Sequence, residues 1–266
     1  RLPPVQPDTH DRVPVAATDF EPAPIGGIVR RYTIPWDWWD AIGIYVVWLV
    51  LSISAGFTIL SFVAAESDEA LVAQTLITLV LLIVTTGGWV VLLGLSAGVP
   101  DALRRAFGVK RVTGRDLLLG MGYGVGAFVV VQVGLGVAIT QLIEATGREV
   151  PLVQQAVQEA VRGVSAASLT ITFAVAVLAP IGEELLFRGV LYQALAKHLT
   201  GLSAISLSGV AFGVSHREPL VIALTFPLGM ALAWMLRRHG TLVVPILAHS
   251  VFNVIGVVAI RSTGGA

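Results

Sequence analysis

The chain contains no cysteine, which removes disulfides, cysteine nucleophiles and thiolate metal sites from consideration. Charge is scarce as well. Only 13% of the 266 residues are charged, about half of the roughly 25% usual in a soluble domain. So little polar surface cannot cover a water-facing globule of this length. The 17 basic and 17 acidic residues cancel, so no excess of either sign points to nucleic acid or to acidic partners. No His-Glu-x-x-His helix occurs, so the usual zinc-peptidase pattern is missing too. The expectation is a protein with no metal, no cofactor and no nucleic-acid partner.

What is abundant is apolar sequence: 55% of residues are hydrophobic and the mean hydropathy is +0.83. A helical span needs about 20 mostly apolar residues to cross the hydrocarbon core. Runs of this kind cover 41–63, 70–96, 117–143, 166–194, 202–216, 219–236 and 242–260. They predict an all-α, polytopic transmembrane helical bundle of about seven to eight membrane segments, with the lipid bilayer as its first partner. The run 202–216 reaches only about 22 Å as a helix, and Arg217, Glu218 and Pro219 follow at once. It reads as a short or re-entrant fifth segment ending inside the protein, where irregular backbone is tolerated beside a cavity.

Residues 1–35 hold seven of the 13 prolines and no sustained apolar run, which predicts a disordered tail, too polar for a signal peptide. Residues 36–266 then form one transmembrane domain with a core over 166–260. Trp36, Trp38 and Trp39 stand where an aromatic belt would precede the first span. Ten basic residues (Arg30, Arg31, Arg104, Arg105, Lys110, Arg111, Arg115, Lys197, Arg237 and Arg238) fall on one side of an alternating scheme. Only Arg148, Arg162, Arg217 and Arg261 fall on the other. That bias predicts a cytoplasmic N-terminus in the cell membrane and a C-terminus outside. Within 153–164, Val153, Ala156, Val157, Ala160, Val161 and Val164 share one face, as in a short interfacial helix or an extension of the fourth span.

The polar residues inside these spans carry the functional argument. The fourth span reads Pro180-Ile181-Gly182-Glu183-Glu184-Leu185-Leu186-Phe187-Arg188-Gly189. Three ionisable groups facing lipid unpaired would cost on the order of 8–10 kcal/mol. They must face the bundle interior. Glu184 and Arg188 are four apart and can pair on one face. Glu183 lies about 100° around the helix and is the carboxylate left over. Pro180 loosens the helix one turn earlier, and Gly182 and Gly189 let neighbours approach. A purely structural Glu–Arg clamp explains Glu184 and Arg188 but not Glu183.

Two histidines occupy comparable positions, His216 after Phe212 and His249 before Asn253, each pair four apart. Ser215 and Ser250 flank them on other helical faces. His10, His198 and His239 fall in the tail or loops and read as solvated. Glu183, His249 and Asn253 lie about 10–17 Å inside the cytoplasmic ends of their spans. His216 can join them only if the fifth segment starts deep, tilts or re-enters. A carboxylate and a histidine flanking one water can deprotonate it for attack on a peptide carbonyl and later protonate the leaving amine. A second histidine and an amide can donate to the oxyanion.

Glu183-Glu184-x-x-x-Arg188, Phe212-x-x-x-His216 and His249-x-x-x-Asn253, in this order and in successive spans, resemble the signature of the CPBP (Abi) family, which includes the type II CaaX prenyl endopeptidases. The resemblance covers about residues 166–260. It implies an intramembrane glutamic endopeptidase with Glu183 as the water-activating base together with His216. His249 and Asn253 would form the oxyanion hole, with Glu184 and Arg188 as supports. The substrate would be a membrane-tethered, lipidated or transmembrane peptide. The family also includes members linked to bacteriocin self-immunity, so a non-catalytic membrane scaffold or immunity protein of the same fold stays open. A transporter would show an inverted repeat, and none is visible.

Overall fold

The computed structural model describes residues 34–62, 67–99, 102–108, 112–147, 161 and 165–263. The tail over 1–33 lies outside them, as do 153–164 apart from Val161, and so do Arg30, Arg31, Lys110, Arg111, Arg148 and Arg162 of the sidedness argument. Among the described residues there is no β-strand. The helices are α1 (Trp38–Leu60), α2 (Asp68–Ser96), α3 (Ala102–Phe107), α4 (Gly114–Glu144), α5 (Ala166–His198), α6 (Gly201–Ser215), α7 (Pro219–His239) and α8 (Val243–Thr263). Six are long and apolar enough to cross a bilayer, and α6 is the shorter seventh. The chain is a multi-pass helical membrane bundle, with one helix for each apolar run.

Local chemistry sets most helix starts. Ser67, Thr113, Ser165 and Thr200 each accept a hydrogen bond from the backbone N–H three residues on, and Asp37 and Thr113 both form capping boxes. Such side chains satisfy donors that the first turn leaves open. Pro219 opens α7, and Gly240 ends it with φ +65, the left-handed conformation that glycine adopts without penalty.

Burial sorts the helices into inner and outer ones. The most apolar stretches of α1, α2 and α4 are only 11, 17 and 11% buried, against 39% for α5 and 44% for α7. Val46, Val50, Phe57 and Val84 are exposed on the outer helices, as side chains facing lipid would be. The core lies between α5, α6, α7 and the inner faces of α1 and α2, around Ile44, Leu82, Phe187, Phe212, Leu228 and Leu232.

Small residues set the closest crossings. A Cβ on Gly229 would lie 3.0 Å from the Cα of Gly209, so α6 and α7 pack nearly backbone to backbone. They form a hairpin whose tip includes Arg217 at φ +67. Gly124 of α4 comes as close to α8: its Cβ would meet the Ala248 carbonyl at 2.6 Å and Val251 Cβ at 2.7 Å. That contact seats the stretch of α8 on either side of His249. Gly182 admits Leu82 of α2 at 3.0 Å, and Gly189 admits Phe107 at 3.1 Å.

One end of the bundle is drawn together by polar contacts. Lys197 Nζ donates to the Trp36 carbonyl, and His198 Nε2 lies 2.9 Å from Asp37 Oδ2. Gly201 abuts the Arg237 guanidinium, and Gly108 abuts Gly240. His239 meets the Tyr123 hydroxyl at 3.2 Å. The start of α1, the α3–α4 link, the α5–α6 turn and the α7–α8 turn therefore share one end. His198 and His239 are partnered rather than simply solvated, because a helix end in an apolar bundle gathers its polar side chains against one another.

Candidate active site

The site is built on α5, which is not a uniform α-helix. Ala174–Leu178 and Leu185–Tyr192 are π-helical, and Ala179–Glu184 between them is α-helical. Pro180 supplies part of the reason. It has no N–H, and at the five-residue spacing of a π turn the carbonyl left without that donor is Val175. Asn253 of α8 fills the gap, its Nδ2 donating to Val175 O at 2.9 Å. In the second π segment the Ser208 hydroxyl of α6 donates to the Phe187 carbonyl at 3.2 Å. Neighbouring helices thus satisfy backbone groups that an ordinary helix would pair internally.

At the junction of these segments sits a buried charge cluster. Arg188 Nη1 donates to Glu184 Oε1 at 2.9 Å, and both side chains are fully buried. Arg188 Nη2 donates to the Gly229 carbonyl at 2.9 Å, and its guanidinium carbon lies 4.4 Å from the Phe212 ring centroid. The same Glu184 Oε1 lies 3.0 Å from His249 Nδ1. The other ring nitrogen, His249 Nε2, is 3.8 Å from Glu183 Oε2. One carboxylate therefore binds Arg188 and His249 together, while the second faces the far side of the imidazole. Glu183, the residue with no partner in the sequence reading, looks onto His249 and is the more accessible of the two at 23% side-chain exposure.

His216 reaches this depth by the register of the α5–α6 hairpin. The Phe187 and Phe212 rings meet edge to face at 5.3 Å across that hairpin. One turn farther from the connecting turn on each helix stand Glu183 and His216. Helix α5 runs on to His198 instead of ending near 194, and α6 starts at once from Gly201. Glu183 is thus as many residues from the turn as His216. A straight α6 of 15 residues, about 22 Å long, brings the histidine level with the glutamate. The expectation that a straight segment would overshoot came from ending the fourth helix too early.

His216 Nδ1 lies 2.9 Å from the Phe212 carbonyl, and its ring is 4.9 Å from that of Phe212. Ser215 does not point away, since its hydroxyl donates to the same carbonyl at 2.7 Å. Phe212 is fully buried and also touches His249 at 5.6 Å. It is a spacer between the two imidazoles and a lid on Arg188. Sequence reasoning missed Val175 O, Gly229 O and Ser208. The first two are backbone carbonyls, which no residue pattern marks. The only hint of Ser208 was a polar residue beside Gly209 in an apolar run.

The arrangement offers a partly buried carboxylate next to an imidazole, a second imidazole level with it, and an amide one turn along α8. Such a set can hold a water, move its proton and donate hydrogen bonds to an oxyanion. Residues 165–255 match the family model described as type II CAAX prenyl endopeptidase Rce1-like. No curated protein and no solved structure matches the chain. The matched stretch runs from the start of α5 into α8 and contains Glu183, Glu184, Arg188, Phe212, His216, His249 and Asn253. Over this stretch, about a third of the chain, the protein is similar to the type II CAAX prenyl endopeptidases that the family model describes.

Proposed function

We propose that the protein is an intramembrane glutamic endopeptidase, independent of metal and cofactor, that hydrolyses a peptide bond in a membrane-tethered, lipidated or transmembrane substrate. The observation that carries the reading is the approach of Glu183 Oε2 to His249 Nε2 at 3.8 Å, beside a Glu184–Arg188 pair that is fully buried. Two carboxylates at adjacent positions are given different surroundings. Glu184 is held through one oxygen by both Arg188 and His249, while Glu183 keeps an open side.

Glu183, with His216, takes a proton from water as its oxygen bonds to the peptide carbonyl carbon. The carbonyl oxygen becomes an oxyanion that accepts hydrogen bonds from His249 and Asn253. When the C–N bond breaks, the proton held by Glu183 goes to the leaving nitrogen, releasing an amine and a carboxylic acid. Glu184, Arg188 and Phe212 support the machinery. The family's name refers to prenylated CAAX substrates, and the chemistry it shares with this site is a peptide bond held at the membrane by a lipid. The domain comprises residues 36–266 with a Pro-rich tail over 1–35, the N-terminus cytoplasmic and the C-terminus outside the cell membrane.

One observation favours the alternative of a non-catalytic scaffold or immunity protein. Asn253 already donates to the Val175 carbonyl, so its amide has a structural duty as well. A single comparison separates the two readings. New protein termini are profiled in membranes carrying the wild-type chain or Glu183→Gln at equal expression. Termini found only with wild type establish a protease and identify its substrates. Identical profiles overturn the proposal in favour of the scaffold.

A further inference from the structure

The two imidazoles of the site are held by different acceptors, and this difference assigns Glu184 a role beyond pairing with Arg188. Glu184 Oε1 accepts from Arg188 Nη1 at 2.9 Å, and His249 Nδ1 approaches the same oxygen at 3.0 Å. As the carboxylate of an ion pair with Arg188, Glu184 is acceptor-only and has no hydrogen to offer the ring. The Nδ1 of His249 must therefore carry one. We propose that Glu184 is a positioning residue for His249, fixing the ring with Nδ1–H on itself and leaving Nε2 as the only atom at which the imidazole gives or takes a proton. This deepens, and rests on, the reading of the site as a hydrolase.

The geometry aims that atom where the chemistry needs it. His249 Nε2 is the nitrogen that faces Glu183 Oε2 at 3.8 Å. This separation is too long for a good direct hydrogen bond and leaves both groups free to engage one oxygen between them. Phe212 packs against the ring at 82° and 5.6 Å, and the ring is buried, so it has little freedom to flip. To donate to an oxyanion, Nε2 must carry a hydrogen while Nδ1 keeps its own, and the ring is then positive. The carboxylate of Glu184 behind Nδ1 stabilises that positive charge, as an orienting carboxylate does behind a catalytic histidine.

The Nδ1 of His216 meets a backbone carbonyl instead. It lies 2.9 Å from the Phe212 carbonyl and 3.4 Å from the Ser215 hydroxyl. A carbonyl oxygen also accepts only, so the hydrogen is again on Nδ1 and the outward atom is again Nε2.

The test reads the tautomer directly and needs no substrate. Protein labelled with 15N-histidine is reconstituted in lipid nanodiscs, and the ring nitrogens of His249 are assigned by their loss in His249→Gln. A protonated Nδ1 in wild type, whose resonance shifts in Glu184→Gln, is the expected result. A wild-type His249 protonated on Nε2 alone overturns the proposal, even if Glu184→Gln fails to fold. So does an unchanged ring spectrum in a folded Glu184→Gln. With a substrate in hand, Glu184→Gln should lower kcat by about 100-fold or more with KM changed less than about threefold, and Glu184 would be merely structural if only protein yield fell. If wild type cleaves nothing, the hydrolase reading fails while the spectrum still decides the tautomer.

Discussion

Replacing Arg188 by methionine keeps most of the side-chain stem and removes only the charged head. That head makes two hydrogen bonds of 2.9 Å, to Glu184 and to the Gly229 carbonyl, and covers the Phe212 ring. Removing one partner of a buried ion pair typically costs about 3–5 kcal/mol, because the remaining charge stays desolvated. Here His249 Nδ1 still approaches Glu184 Oε1, whereas Oε2 is buried with no hydrogen-bond partner among the described residues. The lower end, about 3 kcal/mol, is therefore expected. At about 2–4 °C per kcal/mol for a chain of this size, the midpoint of thermal unfolding should fall by about 6–12 °C. Tryptophan fluorescence of the detergent-solubilised protein during heating would read it. The double variant Glu184→Gln, Arg188→Met removes both charges and keeps an amide oxygen for His249. It should recover at least half of the loss, since a neutral pair leaves no uncompensated charge, while remaining inactive. A Tm for Arg188→Met within about 2 °C of wild type, or a double variant no more stable than the single one, would refute the reasoning.

Asn253→Leu should lower stability by about 1 kcal/mol, the lower end of the penalty for orphaning a carbonyl, because that of Val175 is only partly buried. A loss of activity with unchanged Tm would instead mean that the amide serves only the reaction. Gly209→Val should open the α6–α7 hairpin, because even a Cβ there would lie 2.7 Å from Met230 Cγ and 3.0 Å from the Met230 nitrogen. Gly122→Val, where a Cβ meets nothing within 4 Å, is the matched control and should purify normally; equal yields of the two would sink the packing argument. Ser208→Ala should cost about 1 kcal/mol by removing its hydrogen bond to the Phe187 carbonyl in the second π segment, read as a small fall in Tm.

Much of this was legible because a bilayer punishes ambiguity. A run of apolar residues has few alternatives to a spanning helix, and the seven runs became seven helices with ends shifted by a few residues. Glu184 and Arg188 were legible as a pair because their spacing of four has one meaning on a helix. Glu183 stood out by exclusion and its depth matched that of His249, but their contact was not legible, since no spacing rule links α5 to α8. The end of α5 was misread because Gln193, Lys197 and His198 dilute the hydropathy without breaking the helix. Asp37 and Trp36, remote in sequence, bind its last turn. The depth of His216 followed from that one boundary. The π segments were illegible for a different reason: Pro180 announced a missing donor, but which carbonyl it orphaned depends on local backbone spacing.

The hairpin of α6 and α7 also bears on how the protein sits in its membrane. Its two arms start and finish at the same end of the bundle, where Gly201 lies against Arg237. Such an excursion contributes either no crossing or two, depending on whether its tip at Arg217 emerges on the far side. Both counts are even. The side reached by the last helix therefore does not depend on the tip, and an insertion that buried or exposed Arg217 would leave the sidedness of the C-terminus unchanged.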